Sequence, residues 1–378
     1  MGIEIQQLDF KKSENGKFRE TTITLEDAKD YLKLFDLFFR PMDMLGETWD
    51  KVFSGQGEGY HSMMSNSEKD FRSWNGWIFR GQKGKNDKLV PDFERRFFDT
   101  FSNPDNEPKR DLFDIEMGVI RDFKRTAGSF YPELKFINDK DIYEYIAWIR
   151  HFNGATRVID MTNSFFVALF FALGRSLPED KETYYIWCID KVWLEHRYKE
   201  FMPLEIRNMF KKYDDFGKDV RIQDAILNYV PNLKKNCEKN EKDERYRHEF
   251  CSVINIEPFY KNSRLVRQKS LFLMPTNPYR TFEENLFNMV INDDDTYHIL
   301  RIAVKCDRKS AILIQKVLDG MNINGSVLFE TLEGICETLN TKPFFQNDSI
   351  TVSPQAGINN ATSSFMFGDM PKITEETK

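Results

Sequence analysis

The chain has 378 residues, enough for one large domain or two ordinary ones, and its 40% hydrophobic and 14% aromatic content can fill a substantial core. A net charge of −6, from 54 basic and 60 acidic side chains, argues against a general polyanion-binding surface but leaves room for a local basic pocket. The five cysteines (Cys188, Cys237, Cys251, Cys306, Cys336) are scattered, odd in number and free of any CxxC pair, so neither a disulfide framework nor a zinc site is expected.

Residues 1–22 are polar, fit an edge strand or an arm, and show no apolar signal region, so a cytoplasmic protein is expected. Thr24 opens a predicted helix, LEDAKDYLKLFDLFF, with apolar residues at helical spacing and Asp27 placed as in a capping box. A Gly- and Ser-rich connection covers 54–70. Trp74–Gln82 then reads as a strand with Trp77 and Phe79 on one face and Ile78 and Arg80 on the other. Gly81 within it permits a sharp bend or the close approach of a ligand. Helices are predicted over Asp111–Thr126, with Phe113, Met117, Ile120 and Phe123 as the apolar face, and over Lys140–His151, with Ile142, Tyr145, Ile146 and Ile149.

The stretch TRVIDMTNSFFVALFFALG, Thr156–Gly174, organises the chain. It reads as a short strand over Ala155–Met161, a cap at Thr162 or Asn163, and a helix over Phe165–Leu173 that is apolar on every side and therefore buried on every side. That helix is far shorter than the ~20 residues needed to span a bilayer, and Gly174 suits its C-terminal end. Arg157, Asp160 and Thr162 stand just before its N-terminus, an end whose free N–H groups suit an anion such as a phosphate or diphosphate. A structural ion pair between Arg157 and Asp160 is the competing reading.

Strands follow over Thr183–Ile189, Phe250–Ile256, Arg264–Met274 and Tyr297–Lys305. Between the first two lies a charge-rich region, about 191–249, read as a helical, solvated insertion. Asp307 caps a helix over Arg308–Met321, one last helix covers Leu328–Leu339, and a loose tail begins near residue 346. Strands exceed what a bundle holds, and helices separate only some of them. The expected class is thus α+β: a mixed, mostly antiparallel, possibly split sheet with a buried helix and flanking helices. The expected divisions are an N-terminal segment 1–70, a main domain 71–345 and the tail 346–378. No phosphate-binding glycine loop, HExxH or GxSxG motif is present, the five histidines show no metal spacing, and no metal is expected.

Two segments together resemble the FRG domain, named for its Phe/Tyr-Arg-Gly motif. The first is Ile78-Phe79-Arg80-Gly81-Gln82, followed by Leu89-Val90-Pro91 and Arg95. The second runs from His151-Phe152 through Thr156-Arg157-Val158-Ile159-Asp160-Met161-Thr162 to Ala168-Leu169-Phe170-Phe171-Ala172. Weaker matches are Gln268 with Phe272 and Leu328-Phe329 with Leu332-Glu333-Gly334; Asn153 and Ser270 stand where the family usually has Gly, and Ala155 where it has Pro. The FRG family brings no assigned activity with it. Its layout is similar to that of ADP-ribosyltransferases, which implies NAD or a related nucleotide as ligand and an unknown macromolecular acceptor, in the setting of a bacterial toxin or antiphage effector. By that analogy Arg80, with Gly81 and Gln82, holds the NAD diphosphate or ribose. Thr156 and Thr162 line the nicotinamide pocket, Arg157 and Asp160 stay cofactor-binding candidates beside the helix N-terminus, and Gln268, or a nearby acid such as Glu257 or Glu333, takes the catalytic place. A non-catalytic nucleotide-sensing module and a nucleic-acid-directed effector are the alternatives, and the acidic charge weighs against the last.

Overall fold

A computed structural model describes residues 10–25, 34, 74, 76–84, 88–98, 112–131, 134, 137, 142–174, 178, 182–201, 251–258, 261–329 and 331–346. Its strands are β1 (Lys11–Lys12), β2 (Arg19–Leu25), β3 (Trp77–Lys83), β4 (Ile159–Thr162), β5 (Glu182–Asp190), β6 (Val253–Ile256), β7 (Ser270–Pro275) and β8 (Ile299–Cys306). They form one eight-stranded sheet in the order β1-β2-β8-β5-β3-β4-β7-β6. Every described pairing is antiparallel except β2 with β8. The class is α+β, as the mixture of strands and helices implies.

Helices α1 (Leu112–Ala127), α2 (Ile142–His151) and α3 (Phe165–Leu173) precede β5. The apolar face expected of α1 packs against the core through buried Ile120 and half-buried Phe113, Met117 and Phe123, and Tyr145, Ile146 and Ile149 of α2 are buried. Strand β3 divides its side chains as its alternation requires. Trp77 and Phe79 join one core cluster together with α3, while Ile78 joins the other with α1 and α2. Nearly all of α3 is buried, Phe171 excepted. Its cap is Ser164, whose side chain accepts from the Val167 N–H at 3.4 Å, and not Thr162 or Asn163. Gly174 closes it at φ 79°, donating to the Phe170 carbonyl.

Among the described glycines, Gly81 marks the closest backbone approach, where α3 packs on β3. A Cβ built on Gly81 would overlap the Ala168 carbonyl oxygen and stand 2.5 Å from the Ala172 nitrogen. The glycine is required because a helix backbone, rather than a ligand, lies directly against the strand.

Four local readings change. Thr24 and Leu25 belong to β2, paired in parallel with Lys305 and Cys306, so Thr24 caps no helix. Leu34 is helical and fully buried, while the rest of that predicted helix lies outside the described residues. The segment after Asp190 begins with α4 (Lys191–Phe201), which is packed rather than solvated: Trp193, Leu194 and Tyr198 are buried, and Asp190 caps the helix by accepting from the Val192 and Trp193 N–H groups. The remainder of the charge-rich region lies outside the described residues. Arg264–Met274 is not one strand. Asn262 caps a short helix α5 (Ser263–Arg267) by accepting from the Leu265 N–H, Lys269 turns the chain at φ 48°, and only then does β7 begin. After α6 (Phe282–Asn288) and α7 (Arg308–Gly320), which Asp307 caps as expected, two helices take the place of one: α8 (Gly325–Phe329) and α9 (Leu332–Gln346). They pack backbone to backbone at Gly325 and Gly334, where an added Cβ would lie within 3 Å of the opposing carbonyl oxygen.

Candidate functional site

Strands β3 and β4 pair at one position only, Phe79 opposite Thr162. Beside this pair the sheet has a seam, and a cavity of about 240 Å³ opens there. Its walls come from β3, the end of α2, β4, α3, α5, the start of β7 and α8. Three guanidinium groups line it, from Arg80, Arg150 and Arg264, with Asp160 as the carboxylate among them. His151, Asn153, Thr162, Gln268 and Ser270 add neutral polar groups, and the rings of Phe171, Phe272 and Phe329 supply much of the apolar wall.

Arg80 spans the seam. Its Nη1 donates to the Asp160 backbone carbonyl at 2.8 Å and stands 3.9 Å from the Asp160 carboxylate, while its buried Nε has no hydrogen-bond partner. Burial pushes the Arg80 guanidinium down to about 10 against the pull of Asp160, so the group stays charged at neutral pH. Arg150, in the last turn of α2, donates through Nε to Asp160 Oδ2 at 2.7 Å and through Nη1 to Asp92. Burial works against its charge, but Asp160 and Asp92 outweigh that and hold it above the usual arginine range. Burial likewise disfavours the Asp160 carboxylate, yet Arg150, Arg80 and Arg264 keep it below the usual range and ionised. Arg264 donates to the His151 carbonyl at 3.0 Å and lies 4.8 Å from the centre of the Phe329 ring.

His151 completes the polar wall as a neutral imidazole. Burial, aided by repulsion from Arg264, pushes it down to about 4, and its Nδ1 has no hydrogen-bond partner. Asn153 follows in the left-handed region at φ 64°, a conformation that Asn and Gly adopt readily, which accounts for Asn at this position of the motif.

The structure gathers Arg80, Gly81, Asp160, Thr162 and Gln268 around the cavity and leaves Gln82, Thr156, Arg157 and Glu333 away from its lining. Arg157 is 4% exposed and pairs with neither Asp160 nor the cavity: its Nη2 stands 2.8 Å from Glu116 Oε2 on α1. Burial outweighs that pairing at Glu116 and raises its carboxyl. Thr156 is buried, with its carbonyl accepting from the Phe93 N–H. Gln82 donates to the Lys88 carbonyl. Thr162 lines the cavity but is engaged structurally, donating to the Gln268 carbonyl at 2.7 Å and accepting from the Ser164 N–H. Gln268 is 6% exposed, with its amide donating to the Leu328 carbonyl at 3.0 Å and accepting from Ser270. Glu333 is exposed on α9. Glu257, the other acid that the resemblance offers for the catalytic place, sits between Lys191 and Lys261 away from the cavity lining. Burial raises the Cys188 thiol, which removes it as a nucleophile.

Sequence reasoning missed Arg150, Arg264 and the anchoring Asp92. Basic residues in a helix's last turn ordinarily answer the helix dipole, so Arg150 carried no separate signal. No group of histidine, cysteine and carboxylate side chains among the described residues is arranged to hold a metal ion. No helix among them is long and apolar enough to cross a membrane.

Comparison with known proteins agrees with the motif reading. Residues 75–181 match the FRG domain, so the chain carries an FRG domain spanning β3 to the approach to β5. No curated protein and no solved structure matches the chain.

Proposed function

We propose that this chain, through its FRG domain, binds a phosphate-bearing nucleotide at the β3–β4 seam, with NAD as the first candidate, and acts on it in the manner of an ADP-ribosyltransferase or glycohydrolase. The observation that carries the reading is the convergence of three arginines on one small cavity whose lining holds a single carboxylate. Guanidinium groups match phosphate oxygens in charge and in hydrogen-bond geometry. Arg150 is occupied by Asp92 and Asp160, whereas Arg80 has a carboxylate oxygen no nearer than 3.9 Å, so Arg80 is the group that would meet the diphosphate first, with Arg264 beside it in the lining. The Asp160 side chain is 39% exposed and ionised, so it would accept from a ribose hydroxyl and stabilise positive charge developing on the ribose as nicotinamide leaves. In this reading Asp160, rather than Gln268 or Glu333, takes the catalytic place.

A second reading, binding without turnover, is favoured by Gln268, whose amide is held by Leu328 and Ser270 and is not offered to a substrate. One experiment separates the two. Purified protein is incubated with NAD, and nicotinamide release and the thermal shift are measured for wild type, Arg80→Ala and Asp160→Asn. Release by wild type that both variants lose supports turnover. A thermal shift abolished by Arg80→Ala, without release, supports sensing. Neither release nor shift refutes NAD as the ligand. The effector role rests on turnover, and is tested by whether expression of wild type, but not of Arg80→Ala, arrests growth of a bacterial host.

A further inference from the structure

The end of α2 leads from the arginine cavity to an aromatic surface. Phe152 lies between two residues that line the cavity, His151 and Asn153, yet its own ring is 45% exposed. The turn that turns this ring outward is tightly built. Asn153 adopts φ 64°, the Phe152, Asn153 and Gly154 N–H groups donate back to the Trp148, Arg150 and Ile149 carbonyls, and a Cβ on Gly154 would stand 2.5 Å from the Ile149 side chain. Phe152 also packs against neighbouring rings. Trp148 stacks on it at 6.0 Å and 27°, Tyr131 lies 4.9 Å away, and the edge of the His151 ring meets it at 4.7 Å.

Single exposed apolar side chains need no explanation, but a cluster of packed aromatic rings carried by the same turn that lines a cationic cavity does. An aromatic ring held rigid by its neighbours loses little freedom when a second planar ring stacks on it.

The geometry points to Phe152 as the stacking platform for the base of the nucleotide whose phosphates lie on Arg80 and Arg264. This rests on the nucleotide reading above and extends it: the ligand is a nucleotide whose base is recognised by its face. Recognition by stacking tolerates different bases, because every base has such a face, so affinity should depend on the presence of a base more than on its identity.

The test uses the full chain and isothermal titration with pyrophosphate, ADP and ribose 5-phosphate against wild type, Phe152→Ala and Phe152→Trp. ADP is expected to bind wild type about tenfold or more tightly than pyrophosphate. Phe152→Ala should remove that advantage and leave pyrophosphate and ribose 5-phosphate unchanged, and Phe152→Trp should restore it. Because Phe152 is half exposed, an unchanged thermal midpoint for both variants confirms that they fold. If pyrophosphate binds but ADP binds no more tightly, or if Phe152→Ala keeps full ADP affinity, the stacking proposal falls while the phosphate site stands. If none of the three ligands binds, both fall. A Phe152→Ala variant that keeps its nucleotide affinity but loses transfer to a protein acceptor would assign the surface to the acceptor and overturn the proposal.

Discussion

Gly81→Ala is the sharpest test of how the FRG motif shapes this fold. The added Cβ would overlap the Ala168 carbonyl oxygen, stand 2.5 Å from the Ala172 nitrogen and 2.8 Å from the Ala168 carbonyl carbon. Ordinary van der Waals contact begins at 3.4 Å, so the α3 backbone must retreat from β3 by about 1.6 Å at the Ala168 carbonyl oxygen and about 0.9 Å at the Ala172 nitrogen. Every clashing atom is backbone, so no side-chain rotation relieves the contact. The helix is also packed on nearly all sides, with Phe165, Ala168, Leu169, Ala172 and Leu173 fully buried. The substitution therefore sits at the severe end of overpacking, about 3 kcal/mol or more. For a domain of this size that lowers the thermal midpoint by about 6–12 °C. The assay is far-UV circular dichroism on heating, with Gly320→Ala as the control, since an added Cβ there meets nothing within 4 Å. A midpoint within about 2 °C of wild type would refute the packing argument. Normal stability together with lost nucleotide binding would show instead that the glycine serves the ligand.

Three further outcomes are expected. Glu116→Gln should destabilise by about 3–5 kcal/mol, because it leaves the Arg157 guanidinium buried without its counter-charge; the double variant Glu116→Leu with Arg157→Met should recover most of that loss in a denaturant titration. His151 carries its proton less readily in the fold, at about 4, than in the unfolded chain, near 6.5. The unfolded chain therefore binds more protons between these values, and stability should fall as pH drops from about 6.5 to about 4; His151→Gln should flatten that slope, and an unchanged slope would remove the assignment. Thr281→Ala breaks the capping box with Glu284 at the start of α6 and should cost about 1 kcal/mol by thermal unfolding, with nucleotide binding unaffected.

The parts of the fold that could be read from sequence are those where a single physical demand repeats. Strand β3 alternates between two cores, α3 is apolar all round because it is buried all round, and Asp307 announces α7 by its capping chemistry. The failures arise where a local signal serves two structures. RLVRQKSLFLM has strand-like residues throughout, but Asn262 starts a helix ahead of them and Lys269 breaks the run. Arg157 and Asp160 are three residues apart, and spacing could not tell which of them meets the cavity. The strand begins only at Ile159, so Arg157 precedes it and turns toward α1. A clue was present on α1. Glu116 is three residues beyond Phe113, next to Met117 and in phase with Ile120, so a carboxylate on that apolar face required a buried cation. The seam itself, and hence the grouping of Arg80, Arg150 and Arg264, depends on how two strands distant in sequence diverge, and no local pattern encodes that.

The arginine cluster also bears on whether the cavity is a structural accident. Stability alone favours neutralising buried cations or replacing them with apolar groups, since desolvated charge is costly unless well paired. Arg150 satisfies that demand through Asp92 and Asp160. Arg80 does not. Its nearest carboxylate oxygen, on Asp160, is 3.9 Å away and is already engaged by Arg150, its Nε is buried without a partner, and burial lowers its pKa to about 10. Supplying Arg80 with a dedicated carboxylate would be a simple stabilising change, yet the residues around it present aromatic rings, a neutral histidine and two further arginines. An under-neutralised cation lining a cavity is the arrangement expected where the missing negative charge arrives with a ligand.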